Sequence, residues 1–448
     1  MLANRIFTTP FAETLFSAET ELQNMLRFEA MLALSEAKIG LIPMSAAKII
    51  ETICLQNDVI WQTEMIQLIE NQTLLAGNPA IPFVKGLIQK VKSIDAEAAK
   101  YVHFGATSQD VIDTALVLQL KVALTQIELD LKKLQSVLSE LARKHQNTIM
   151  MGRTLLQQAR PITFGYKVAV WLSGINDLLN QLNYLKNNTL YLQLGGAVGT
   201  LAVLGEHGMG VLKSMSIQLD LKNAPITWHT QRNNLVLLAT FLGILNTNLG
   251  TIGKNISLLM QNEIGEVFEG AVAGKGGSSA MPHKRNPVTS VFMLSIAQRT
   301  PALVSTMLSN ALHTHERAAG EWHSEWAVLK ELVKLSMSNL HHANDLISHL
   351  EVNEARMLQN LELTKGLIFA EDITAALAPK MGKDVAHAFV EKACKRATHQ
   401  QIHLKKYLLE ATDIENYISK EVINQCFNPK NAIGLSSVFV DHVLSEFN

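Results

Sequence analysis

Residues 270–287 read Gly-Ala-Val-Ala-Gly-Lys-Gly-Gly-Ser-Ser-Ala-Met-Pro-His-Lys-Arg-Asn-Pro. Gly270, Gly274, Gly276 and Gly277 make a backbone permissive enough to close over a ligand. Ser278, Ser279, Met281, His283, Lys284, Arg285 and Asn286 follow at once. A hydroxyl there could exchange a proton, and the fixed cations and the amide suit an anionic carboxylate. Glycine and lysine alone would equally describe a basic surface loop, so the order of the whole string carries the argument.

Four further polar clusters are spread along the chain. His103-Phe-Gly-Ala-Thr-Ser-Gln-Asp110 ends where a long apolar stripe begins. Thr107 and Ser108 there read either as capping hydroxyls or as ligands for a carboxylate at a positive helix end. His103 reads as a structural histidine or as a proton carrier. Met151-Gly-Arg-Thr-Leu-Leu-Gln-Gln-Ala-Arg-Pro-Ile-Thr-Phe-Gly165 contributes Arg153, Thr154 and Gln157. Trp228-His-Thr-Gln-Arg-Asn-Asn234 contributes Gln231 and Arg232, whose guanidinium offers a two-pronged grip on a carboxylate. The fourth cluster is His315-Glu-Arg317, and His229 and His323 are additional titratable groups.

The 270–287 string resembles the signature Gly-Ser-Ser-x-Met-Pro-x-Lys-x-Asn-Pro of the fumarase/aspartase superfamily and matches it at every fixed position. The His103–Asp110 stretch is similar to that superfamily's first shared region, in its adenylosuccinate lyase form. Residues 151–165 and 231–232 are similar to the second and third regions, and 315–317 to a Glu-Arg-Asp segment whose aspartate is here Ala318. The resemblance implies an enzyme that moves a proton beside a carboxylate while oxygen or nitrogen enters or leaves at the β-carbon. It implies Ser278 as the proton-transferring residue, with Lys284 and Asn286 stabilising the carbanionic intermediate and His103 as a further catalytic group. Thr107, Ser108, Arg153, Thr154, Gln157, Gln231, Arg232, Ser279, Met281 and Arg317 are then substrate contacts. It also implies an all-α fold and a homotetramer whose active sites draw on several subunits, with no metal and no cofactor.

One departure discriminates between branches. Leu155 stands where the lyases of the superfamily carry a histidine assigned to acid chemistry. An amine is a poor leaving group unless protonated, and loss of the acid costs roughly 10²–10⁴-fold in rate. A carboxylate, whose conjugate acid has a pKa near ~4, departs or adds unaided. Gly-Arg-Thr-x-Leu-Gln at 152–157 and Trp-His-Thr-Gln-Arg at 228–232 are similar to the branch that closes 3-carboxy-cis,cis-muconate to a lactone, a tricarboxylate reaction of aromatic degradation. The alternatives are an adenylosuccinate-lyase-type β-elimination with a relocated acid, such as His103, and an inactive structural relative.

These motifs need long elements to hold them. The 448 residues are 48% hydrophobic, 18% charged and only 6% aromatic, which favours leucine- and alanine-rich helices. From Asp110 to His145 there is no Gly or Pro, and Val117, Leu120, Leu124, Ile127, Leu131, Leu134, Leu138 and Leu141 recur at spacings of three and four. That pattern predicts a helix roughly 50 Å long, which needs neighbours of similar length. Candidates run over 161–185, 234–268, 287–315 and 321–350, with Pro161 and Pro287 in first turns and Pro301 predicting a mid-helix kink. Five such helices imply an elongated bundle with surplus apolar faces for assembly; the resemblance implies that five helices from each of four chains form the core. The expected parts are a helical domain at 1–108, the bundle at 109–352 and a small helical domain at 353–448. Shorter helices are expected at 18–39 and 46–55, and a small hairpin at 190–194 and 201–204.

A net charge of −1 gives no global field for nucleic acid or a membrane surface. No run of ~18 uninterrupted apolar residues predicts a membrane span. Cys54, Cys394 and Cys426 are scattered, which predicts free thiols in a reducing compartment. The N-terminus lacks the pattern of a secretory signal, and the cytoplasm is the expected location.

Overall fold

A computed structural model describes residues 4–270, 276–277, 281, 284–411 and 413–446. Among them the chain is built of α-helices, with six short strands, four of which have only two residues. The heptad stripe forms the helix Ser108–Lys144, and every residue of it from Val117 to Leu138 is fully buried. Leu141, in the last turn, is half-buried. The other long helices are Phe164–Thr189, Asn233–Leu259, Val288–Asn310 and Glu321–Ser348. Val288–Asn310 runs unbroken through Pro301 and ends at Asn310, short of the expected His315.

By packing the chain forms two compact units. The first is Met1–Asp130, Leu178–Thr247 and Ser295–His341; the second is Leu131–Asp177, Asn248–Leu294 and His342–Asn448. The dividing points fall inside all five long helices. In the first unit the helix Ala18–Ile39 packs on Met44–Leu55, Val59–Ala76 and Gly208–Leu219. Its limits are local chemistry: the Ser17 side chain accepts from Thr20 N–H at one end, and Gly40 closes the other in a left-handed conformation with φ +87°.

In the second unit an antiparallel hairpin, β1 (Ile149–Thr154) and β2 (Gln157–Thr163), replaces the helix start expected at Pro161. Pro161 sits in β2 opposite Met151. The hairpin is seated on the C-terminal helices, with Met151 buried among Leu361, Ile368, Phe369, Ile373 and Leu377. Gly152 marks the bulge, and a Cβ there would lie 2.8 Å from the Arg160 carbonyl oxygen. The hairpin anticipated at 190–204 does not form: Tyr191–Leu192 pairs in parallel with Lys222–Asn223, and residues 201–204 make turns.

Among the described residues two helices are, by length and composition, apolar enough to cross a membrane, although neither has an uninterrupted apolar run of ~18 residues. In Asn233–Leu259, 56% of the apolar window is buried within the chain; in Val288–Asn310 only 22% is. The second therefore presents an open apolar face.

Glu36, in the last turn of Ala18–Ile39, is fully buried, and neither carboxyl oxygen has a partner among the described residues. Burial, and then the neighbouring Glu29 charge, push this carboxyl from 4.5 up to about 9. The folded state thus favours the protonated form. The group's contribution to stability is complete below the unfolded value and is lost as pH rises toward 9. Glu36→Gln keeps the shape and removes the titration. Urea unfolding between about pH 5 and about pH 8 should show the wild type losing roughly 2–4 kcal/mol relative to the variant. Parallel stability curves would contradict this assignment.

Candidate active site

In the first unit the motifs converge on two carboxylates one turn apart at the start of Ser108–Lys144. Asp110 Oδ2 accepts from Thr107 N–H at 3.0 Å and Gly196 N–H at 2.9 Å. Its Oδ1 accepts from Gly195 N–H at 3.0 Å and lies 2.7 Å from His229 Nε2. Asp113 takes Arg232 Nη1 at 2.6 Å, Trp322 Nε1 at 3.0 Å and the side-chain amides of Gln109 and Gln193 at 3.2 Å. Both aspartates are buried, so each needs this density of donors.

Arg232 departs from its expected role. It is 1% exposed and gives its guanidinium to Asp113 and to Glu325, whose Oε2 accepts from Nη2 at 2.6 Å. The guanidinium also lies 4.8 Å from the Trp228 ring centroid. Burial pulls its ionisation down, but the two carboxylates more than offset that and the net direction is up. For Asp113 burial raises the carboxyl and Arg232 more than offsets it, so the net direction is down. Every guanidinium nitrogen of Arg232, which the sequence reading made a substrate contact, is thus engaged by a carboxylate of this unit.

Arg317 of the same unit is more accessible than Arg232. Its Nη1 donates to Thr107 Oγ1 at 2.7 Å and to the Ala197 carbonyl at 3.2 Å, and its Nε to Gln109 Oε1 at 3.1 Å. Burial lowers its ionisation, partly offset by Asp110 and Asp113. Ser108 is the first helical residue and half-buried, while Gln231 is exposed at a cleft of about 370 Å³ beside Tyr191, Pro225 and Trp228. His103 lies 2.5 Å from Glu29 Oε1 through Nδ1. Thr107, Arg317, Gln109 and Asp110 are thus brought together, with Arg232 behind them.

In the second unit Arg153 forms a two-pronged pair with Glu266, at 2.9 and 2.7 Å, and Glu266 also accepts from Asn360 at 2.7 Å. Thr154, Leu155, Leu156 and Gln157 form the exposed tip of the hairpin. Leu155 and Leu156 have φ +49° and +65° and are 96% and 78% exposed. This left-handed pair is normally an Asn-Gly turn, and two leucines hold it at a cost of about 1–2 kcal/mol each.

Ser278, Ser279 and His283 lie outside the described residues. The ends of their loop are anchored. Asn286 donates its backbone N–H to the Gly276 carbonyl at 2.9 Å and its side-chain amide to the carbonyls of Gly276 and Gly277 at 3.1 and 3.4 Å. Lys284 is exposed, and Met281 is 43% exposed. Arg285 donates to the Glu269 carbonyl at 2.7 Å, while the Glu269 carboxylate caps Val288–Asn310 through Thr289 and Ser290 N–H. Sequence reasoning missed Asp113, Glu325, Glu266, Glu269 and Glu29. Only the three-residue spacing of Asp110 and Asp113 signalled any of them.

A family model described as "Lyase" matches residues 7–301, and one described as "Adenylosuccinate lyase C-terminus" matches 366–443. The chain is 42% identical over 450 residues to the 3-carboxy-cis,cis-muconate cycloisomerase of Pseudomonas aeruginosa, covering 99% of this chain and 96% of that one. It is likewise 42% identical to the enzyme of that name from Acinetobacter baylyi, over 96% of this chain and 95% of the relative. The crystal structure of the 3-carboxy-cis,cis-muconate lactonizing enzyme from Pseudomonas putida superposes with a TM-score of 0.91 at 41% identity, covering 99% of this chain and 98% of that one. The long-helix architecture, the five motif stretches and these full-length matches agree: the chain belongs to the fumarase/aspartase superfamily.

Proposed function

We propose that this chain is a cycloisomerase that closes 3-carboxy-cis,cis-muconate to 4-carboxymuconolactone in protocatechuate breakdown. Leu155 carries the reading: an apolar side chain stands at the hairpin tip where the resemblance places the acid of an amine-releasing lyase. The lactonisation needs none. One carboxylate oxygen of the substrate bonds to the β-carbon, and a proton is delivered to the carbon next to another carboxylate. Four relatives that are 42–43% identical over 94–99% of this chain bear names for this same reaction.

Ser278 delivers the proton, with Lys284, Asn286 and His103 supplying positive charge and donors to the aci-carboxylate. Arg317, Thr107, Ser108, Arg153, Thr154, Gln157, Gln231, Ser279 and Met281 hold and orient the three carboxylates. Arg232 acts from behind by fixing Asp113. The reaction needs no metal and no organic cofactor. The working form is a cytoplasmic homotetramer whose sites draw on several chains, with segments 1–108, 109–352 and 353–448 as its three parts. The open apolar face of Val288–Asn310 and the exposed, strained Leu155-Leu156 tip support a partner copy covering them.

Ser278→Ala should lower kcat by about 10²–10⁴-fold, with KM little changed, because a proton-transfer group acts in the transition state. Retention of more than about a tenth of wild-type kcat would remove Ser278 from that role.

Leu155→His separates this reading from β-elimination. Loss of the muconate absorbance should not accelerate in that variant, and neither protein should cleave adenylosuccinate or argininosuccinate. Robust wild-type cleavage of an amino-succinate, or a marked gain of it in Leu155→His without muconate turnover, would overturn the cycloisomerase reading.

A further inference from the structure

His103 sits in a tight turn with φ +59°, followed by Gly105 at +71°. A left-handed histidine is uncommon, and such strain persists where the surroundings hold it in place. Here the turn delivers Nδ1 to within 2.5 Å of Glu29 Oε1 on the helix Ala18–Ile39. Glu29 is 1% exposed, its Oε2 has no partner among the described residues, and His103 is its ion-pair partner. The imidazole itself is 15% exposed, and among the described residues its Nε2 makes no hydrogen bond. One nitrogen is therefore fixed in the interior, and the other is left at the surface of the same unit as Thr107, Ser108 and Arg317.

We propose that Glu29 is a positioning residue that keeps His103 protonated, so that Nε2–H presents a fixed positive charge to one carboxylate of the substrate. This rests on the carboxymuconate reading above. A neutral imidazole held this way would offer a lone pair to the substrate anion, or its proton in the wrong place, so the buried carboxylate decides the sign of the contact.

The groups facing the pair agree with that assignment. Glu36 lies on the same helix, Cys54 on Met44–Leu55 and Asp110 on Ser108–Lys144. Glu36, at about 9, is neutral at physiological pH, and burial with the Glu29 charge pushes the Cys54 thiol well up. That leaves Glu29 and Asp110 as the charges that act on His103. Burial pulls the imidazolium down, but the Glu29 charge and hydrogen bond, then Asp110, more than offset it, and the net direction is up.

Glu29→Gln keeps the size of the side chain and removes its charge. In ¹³Cε1-histidine NMR, with the resonance assigned by His103→Gln, the wild-type His103 midpoint should lie above the ordinary value of ~6.5, and in Glu29→Gln it should fall by about one pH unit or more. The alkaline limb of kcat/KM for 3-carboxy-cis,cis-muconate should move down by the same interval. The loss should be roughly tenfold near pH 8 and should appear in kcat more than in KM, because the charge on that carboxylate grows as the aci-carboxylate forms. Glu29→Asp should restore part of both. A His103 midpoint unchanged by Glu29→Gln, or one that falls while the rate limb stays in place, overturns the proposal. If the variant fails to fold, the wild type alone decides: a His103 midpoint at or below ~6.5 overturns it. Absence of any wild-type muconate turnover would instead defeat the cycloisomerase reading, and the NMR midpoints would still show whether Glu29 holds the proton.

Discussion

Arg232, buried between Asp113 and Glu325, is the interaction on which the first unit's site depends. Three separated stretches meet there: the start of Ser108–Lys144, the 228–232 segment and the Glu321–Ser348 helix. Taking three charges out of water is costly, and the cluster is stable only because nearly every prong and lone pair is matched. Removing one member leaves an unpaired buried charge, a loss of about 3–5 kcal/mol, comparable to the whole stability of many domains. An arginine that looks like a substrate ligand in the sequence is thus enclosed by carboxylates. Arg317 is less buried, and its guanidinium is held by hydroxyl, amide and carbonyl acceptors.

The second unit uses the same device twice. Glu266 fixes Arg153 and ties the hairpin to Asn360; Glu269 caps the helix that follows the glycine-rich loop. Asn286 closes the loop's base onto Gly276, where a Cβ would lie 2.8 Å from the Asn286 carbonyl oxygen. The rigid parts are thus polar and buried, and the exposed parts are the hairpin tip and the approaches to Ser278. The tip contains two leucines in a backbone conformation that suits asparagine and glycine. Local turn chemistry does not explain them.

Much of the architecture was legible in advance because it is periodic. The Val117–Leu141 stripe needs only local spacing, and Ser17 and Gly40 bracket the helix Ala18–Ile39 by capping chemistry. The hairpin at 149–163 was missed for equally physical reasons: its strands are bulged at Gly152, its turn is Leu-Leu, and Pro161 looked like a helix start. The motif residues were recognisable, but their partners were not. Nothing in the spacing of Arg232 and Glu325, or of Glu29 and His103, announces that they meet, since the fold alone brings them together. Hence the motif strings and Leu155 could be recognised in the chain, whereas the buried carboxylates that engage Arg232 and Arg153 required coordinates.

The central claim is that the chain joins a carboxylate oxygen to carbon within one molecule and adds one proton, with nothing released. The most direct test is to run the wild-type reaction with 3-carboxy-cis,cis-muconate in deuterium oxide and follow it by proton and carbon NMR. The account predicts a single lactone of unchanged carbon skeleton carrying one solvent-derived deuterium, in the methylene beside the side-arm carboxylate. A product without that label, release of a second fragment, or no conversion would contradict it.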